Sequence, residues 1–165
     1  MTFKVTSNSF KDGDYLAKDH ILSADFGFGC AGGNVSPHLT WSGAPSGTKS
    51  FAVSCYDPDA PTGSGFWHWV VCNIPADVTE LAAGAGSAGG RMPAGALQSR
   101  TDYGTAGYGG PCPPEGDHPH RYLFTVFAVG KEKLDATADT SAAVIGFQLH
   151  FNTLTKATIM GLFKR

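Results

Sequence analysis

"HPHRYLFTVFAVG", His118 to Gly130, decides the fold. Its residues alternate, so His120, Tyr122, Phe124 and Val126 share one face while Arg121, Leu123, Thr125 and Phe127 share the other. The run is rich in β-branched and aromatic side chains, which suit a pleated, half-buried surface. "FWHWVVCNI", Phe66 to Ile74, repeats the pattern. Simple alternation puts Phe66, His68 and Val70 on one face and Trp67, Trp69 and Val71 on the other. Both faces are large and apolar, so this strand is expected to be covered on both sides. Further strand candidates are Phe3–Ser7, Leu39–Ser42, Lys49–Tyr56 and Ala157–Phe163. The chain holds 22 glycines and 10 prolines, and they fall between the short apolar runs instead of in one linker. That punctuation predicts many strands and turns.

One helix is expected in "DTSAAVIGFQLHFNTL". Asp139, Thr140 and Ser141 are candidate caps. Val144, Phe147, Phe151 and Leu154 recur at helical spacing, and Ile145 and Leu149 add a second apolar edge. The helix should therefore be mostly covered. The fold class is mainly β: an antiparallel β-sandwich with a packed helix. A chain of 165 residues suits a single domain, 1–165, with its own core. "LAAGAGSAGGRMPAGALQ", Leu81 to Gln98, reads as a surface connection within that domain.

Charged residues are only 16% of the chain and the net charge is -2. There is no basic footprint for nucleic acid or an anionic membrane surface. No apolar run approaches the length of a membrane span. The start lacks a charged n-region followed by an apolar h-region, so a cytoplasmic location is the default. None of the four cysteines forms a CxxC pair, which leaves zinc-ribbon and thioredoxin readings without support. Cys55 and Cys72 lie in apolar strands and read as buried free thiols. Cys30 and Cys112 lie in Gly-rich loops that could meet, but the cytoplasmic default argues against a bridge.

Chemistry gathers at strand ends. Extending the alternation of Lys49–Tyr56 puts Asp57 on the face of Phe51 and Val53. A carboxylate there needs a partner, and a histidine of a neighbouring strand is the natural one. The plainer alternative for "DPDAP" is an Asp-Pro turn bonding local amides. For His68 alone the plainer reading is an imidazole held by a backbone carbonyl. The loop before His120, "GYGGPCPPEGDHP", carries Pro111, Pro113, Pro114 and Pro119 and is therefore stiff. Together the two acids, two histidines, Tyr122 and this loop can form a small concave site for an anion or polar head group.

"YDPDAPTGSGFWHWVVCNIP" and "GGPCPPEGDHPHRYLFTVFAV" resemble the two signature segments of the phosphatidylethanolamine-binding protein family. The likeness is to its bacterial, Raf-kinase-inhibitor-like branch. "GGNVSPHLTWSGAPSGTKSFAV" and "GFQLHFNTLTKATIMGLFKR" are similar too, so the resemblance covers nearly the whole chain. It implies two antiparallel sheets in a Greek-key sandwich with one or two helices. It also implies a pocket for phosphate, phospholipid head groups or similar small anions. Carried over position by position, the pocket residues are Asp57, Asp59, Pro61, His68, Pro113, Pro114, His120 and Tyr122. The resemblance further implies a cis Ala60–Pro61 bond and, in several bacterial members, a homodimer. The chain stops at "GLFKR", where mammalian members continue into a helix, which implies a more open pocket mouth. Raf-kinase inhibition is not carried over.

The leading functional reading is a non-catalytic binding protein for small anionic or phosphorylated ligands, with regulation through a protein partner as a further expectation. No cofactor or metal is called for. Two alternatives stand beside it. One is a hydrolase-like enzyme using Asp57, Asp59, His68 and His120. The other is an interaction module with a vestigial pocket.

Overall fold

The His120 run lies inside a sheet with a strand on each edge; its inner face is buried and its outer face is half-buried. A computed structural model describes every residue from Met1 to Arg165. In chain order the elements are β1 (Lys4–Thr6), β2 (Leu39–Ser42), β3 (Ser50–Asp57), β4 (Phe66–Pro75), β5 (Glu80–Leu81), β6 (Leu97–Gln98), β7 (His120–Val129), α1 (Ala142–Asn152) and β8 (Thr153–Phe163). They form two antiparallel sheets. The larger has the order β6-β4-β3-β7-β8 and the smaller β1-β2-β5. The sandwich expected from the sequence is therefore present. β5 and β6 lie at the two ends of the Leu81–Gln98 segment, which the sequence reading left as pure connection. No helix is long and apolar enough to cross a membrane.

The inner face of the large sheet packs on the small sheet through Phe51, Val53, Trp69, Val71, Phe124 and Val126, with Leu39 and Trp41 opposite. Each such side chain contributes roughly 1.5–3 kcal/mol on burial. The outer face carries a smaller core, Ala52, Val70, Cys72 and Val129, under Ala142, Ile145 and Leu149 of α1.

Alternation holds along β7 and fails along β4. Cys55 pairs with Trp69 but Tyr56 pairs with Trp67, so His68 is an extra residue in a β-bulge. The bulge inverts the pattern. Trp69 and Val71 join the inner core, and Val70 faces α1. Trp67 lies outside against Tyr56, ring centroids 4.3 Å apart. The two tryptophans thus sit on opposite faces, not on one shared face as alternation alone assigned. A second register shift, between Phe51 and Val53, accompanies Asn73 at φ 61°.

The helix begins where expected, with Ser141 Oγ accepting from Val144 N at 3.3 Å. Its cover is not as expected. Phe147 and Phe151 are 67% and 69% exposed, and Val144 and Leu154 about half exposed. A short helix lying on one sheet has one side to bury, and the Ala142/Ile145/Leu149 side takes it. The periodic aromatic stripe points to solvent. Leu154 belongs to β8, which starts directly after the helix.

Candidate functional site

At one end of the sandwich β3, β4 and β7 finish together, and the Gly-Pro loops close over them. The cleft there has a volume of about 150 Å³, and its walls include Pro61, His68, Pro113, Pro114, His120 and Tyr122. Six of the eight predicted residues therefore meet on one space. Asp57 stands directly behind it. Asp59 does not line it: its carboxylate turns outward to grip Arg121, with Oδ1–Nη2 2.9 Å, Oδ2–Nε 3.0 Å and Oδ2–N 2.9 Å. Those bonds, led by the side-chain bond from Arg121, hold the Asp59 carboxyl at about 2.

His120 is the centre of the site. It is fully buried, and both ring nitrogens face carboxylates. Nδ1 lies 2.8 Å from Asp57 Oδ2 and Nε2 3.0 Å from Asp117 Oδ2. An imidazole between two carboxylates is doubly protonated. Burial disfavours that cation, but the bonds to Asp57 and Asp117 outweigh it and raise the pKa. Asp57 is 2% exposed and its other oxygen accepts from Asp59 N at 2.8 Å. Both sequence readings of Asp57 are therefore realised in one side chain, as a histidine partner and as a turn former.

His68 behaves in the opposite way. Its Nδ1 donates to Gly109 O at 2.8 Å. Burial lowers its pKa against the opposing pull of that carbonyl and of Asp57. The neutral ring then leaves Nε2 as an acceptor. Tyr122 stacks edge-on to His68, centroids 5.2 Å apart, and its buried hydroxyl has no hydrogen-bond partner. Burial first, then the charge of Asp57, pushes that phenol far up.

Sequence reasoning missed Tyr103, Phe66 and Phe28, the aromatic walls, and Asp117. Tyr103 packs edge-on to Phe66 at 4.7 Å, and its hydroxyl donates to Gly110 O at 2.8 Å. A Cβ at Gly109 would strike the Tyr103 ring and one at Gly110 would strike His20 O, so only glycine lets this loop approach. Asn34 fixes the same loop by accepting from Gly110 N at 2.7 Å. Asp117 could have been found from its spacing of three before His120, which brings the two side chains together in a turn.

One open question is answered and one expectation is corrected. Cys30 and Cys112 are joined, Cα atoms 5.9 Å apart, because their loops meet on the cleft wall. The chain has no cis peptide, so Ala60–Pro61 is trans. The Asp57 carboxylate and a Thr62 N–H to Ala60 O bond of 2.7 Å complete the turn without one.

Three comparisons bear on this arrangement. The family model described as phosphatidylethanolamine-binding protein matches residues 6–164. The chain is 53% identical over 163 residues to the UPF0098 protein YbcL of Escherichia coli K12, covering 98% of this chain and 87% of the relative. It is 51% identical to YbhB of the same organism, covering 97% and 99%. The crystal structure of E. coli YbcL, described as a new member of the mammalian PEBP family, superimposes with a TM-score of 0.96 over 100% of this chain and 99% of that one, at 52% identity.

Proposed function

The chain belongs to the phosphatidylethanolamine-binding protein family, and on that premise we propose that it is a non-catalytic binder of small anionic or phosphorylated ligands. One observation carries the reading: the His120 cation is held by one sealed carboxylate, Asp57, and one half-exposed carboxylate, Asp117. Asp117 occupies the place of an incoming anion. A phosphate or phosphomonoester that displaces it takes over a charge-assisted bond at Nε2 without a new unpaired charge. The Tyr122 hydroxyl is a second donor, and His68 Nε2 accepts a hydrogen bond from a phosphate O–H. The aromatic walls suit the organic part of the ligand.

Nucleophilic catalysis lacks support on the same geometry. Cys112 is in a disulfide, and burial raises the thiol of Cys55 and the phenols of Tyr103 and Tyr122. A homodimer or other protein partner, implied by the resemblance, has the exposed Val144/Phe147/Phe151 stripe to cover. Sedimentation velocity at two concentrations checks it. The Cys30–Cys112 bridge weighs against the cytoplasmic default, because such bonds persist in oxidising compartments.

Calorimetric titration with phosphate and phosphoethanolamine tests the proposal. Asp117→Asn frees His120 Nε2 and should tighten binding roughly tenfold, while His120→Ala should abolish it. The phosphate must keep the proton it donates to His68 Nε2, so affinity should rise as pH falls through the second ionisation of the phosphate, at about 6. Absence of binding by both wild type and Asp117→Asn would overturn the reading.

A further inference from the structure

The bottom of α1 does not meet the sheet everywhere. Beside it, on the outer face of the large sheet and away from His120, lies a cleft of about 400 Å³. That is within the size range of small-molecule sites. Its apolar lining comes from Val70 and Phe127 of the sheet and Ile145 and Leu149 of the helix, with Trp67 at one side. Its one charged side chain is Lys156, with the His150 imidazole also on the lining, and no aspartate or glutamate is there. Lys156 pairs with Phe127 in the register, which puts the two side chains next to one another on the outer face.

Two features of this cleft are costly unless something uses the space. Gly146 sits in the middle of α1 and lines the cleft, and a Cβ there would meet nothing within 4 Å. Its φ is not positive and no neighbour approaches it, so neither backbone nor packing requires glycine. Glycine nevertheless weakens a helix interior by about 1 kcal/mol relative to alanine. The second feature is Thr153, where α1 passes into β8. Its Oγ1 is buried at the cleft without a hydrogen-bond partner. Buried hydroxyls in native proteins are nearly always bonded.

We propose that the cleft between α1 and the outer face of the large sheet is a second binding site, for a small amphipathic monocarboxylate. Its apolar chain or ring lies over Val70, Phe127 and Ile145 in the space Gly146 leaves, and its carboxylate meets Lys156 and the Thr153 hydroxyl. The charge argument selects this occupant. An apolar floor with a cation at one end and no competing acid fits a single anionic head on an apolar body. This site is independent of the His120 cleft.

Octanoate and 1-octanol serve as probes, titrated calorimetrically into the whole chain. Octanoate should bind saturably at one site and more tightly than octanol. Gly146→Leu fills the space with a better helix former, so it should fold at least as well as wild type and weaken octanoate at least tenfold. Lys156→Ala should reduce octanoate to the affinity of octanol. His120→Ala should leave octanoate unchanged, which separates this site from the phosphate cleft. The proposal is overturned if octanoate does not saturate, if Gly146→Leu binds it as wild type does, or if His120→Ala removes the binding. It is also overturned if Gly146→Leu changes the oligomeric state and octanoate does not compete for it, since the cleft would then be a protein interface.

Discussion

The two faces of the large sheet solve different problems. The inner face is sealed, and where it carries charge, at Asp57 and His120, the charges are paired at hydrogen-bond distance. The outer face is half open: it has a helix over part of it, an aromatic stripe in solvent and an ion pair, Asp59–Arg121, at its edge. The same residue types therefore do unequal work. A carboxylate two residues along the chain moves from a buried partner of an imidazolium to a surface clamp, because β3 ends at Asp57 and the turn through Pro58 carries Asp59 outward.

The largest expected effect tests that contrast directly. Asp57→Ala leaves the buried His120 cation with only Asp117, and should cost about 3–5 kcal/mol. Asp59→Ala breaks a pair whose arginine side chain is half exposed, and should cost under about 1 kcal/mol. Urea denaturation of both variants measures the difference. Equal losses would mean that the inner face is not sealed. The sign with pH follows from His120. Its raised pKa gives stability present below the ordinary 6.5 and lost as pH rises through the folded value, so the Asp57→Ala deficit should shrink at high pH.

The inner face was also the legible one. β7 pairs with β3 without a register shift, so alternation placed His120, Tyr122 and Phe124 correctly, and the Asp57–His120 pairing could be argued from two strands. Nothing in the residue types of "WHW" marks the bulge that carries His68 and Trp69 to the same side. Tyr103 and Phe28 come from loops with no periodicity, positioned by Asn34 and a bridge between residues 82 apart in sequence. On the outer face, periodicity told which helix residues share a side, but not which side lies down. That choice depends on the Ala52/Val70/Cys72 surface, whose phase the β4 bulge had already inverted.

One substitution type gives opposite signs on the two faces. Gly86→Ala puts a Cβ about 2.6 Å from the Trp69 ring in the inner core, and should destabilise by about 1–3 kcal/mol. Gly146→Ala puts one into the outer cleft and should stabilise by about 1 kcal/mol. Thermal melts of the pair measure both. A destabilised Gly146→Ala would mean that the cleft is closed in solution.

The smallest effect belongs to the edge of the outer face. Arg121 holds the Asp59 carboxyl at about 2, below its ordinary 3.8. A depressed acid contributes stability that is present above the ordinary value and lost as pH falls through the folded one. Wild type should therefore be slightly more stable than Asp59→Asn above pH 3.8, and the two should converge by about pH 2. Because solvent reaches the pair, the gap should stay under about 1 kcal/mol and narrow further in high salt. Urea midpoints across that acid range, with and without salt, measure it. A gap that salt does not touch would put Asp59 with Asp57, on the sealed side of the sheet.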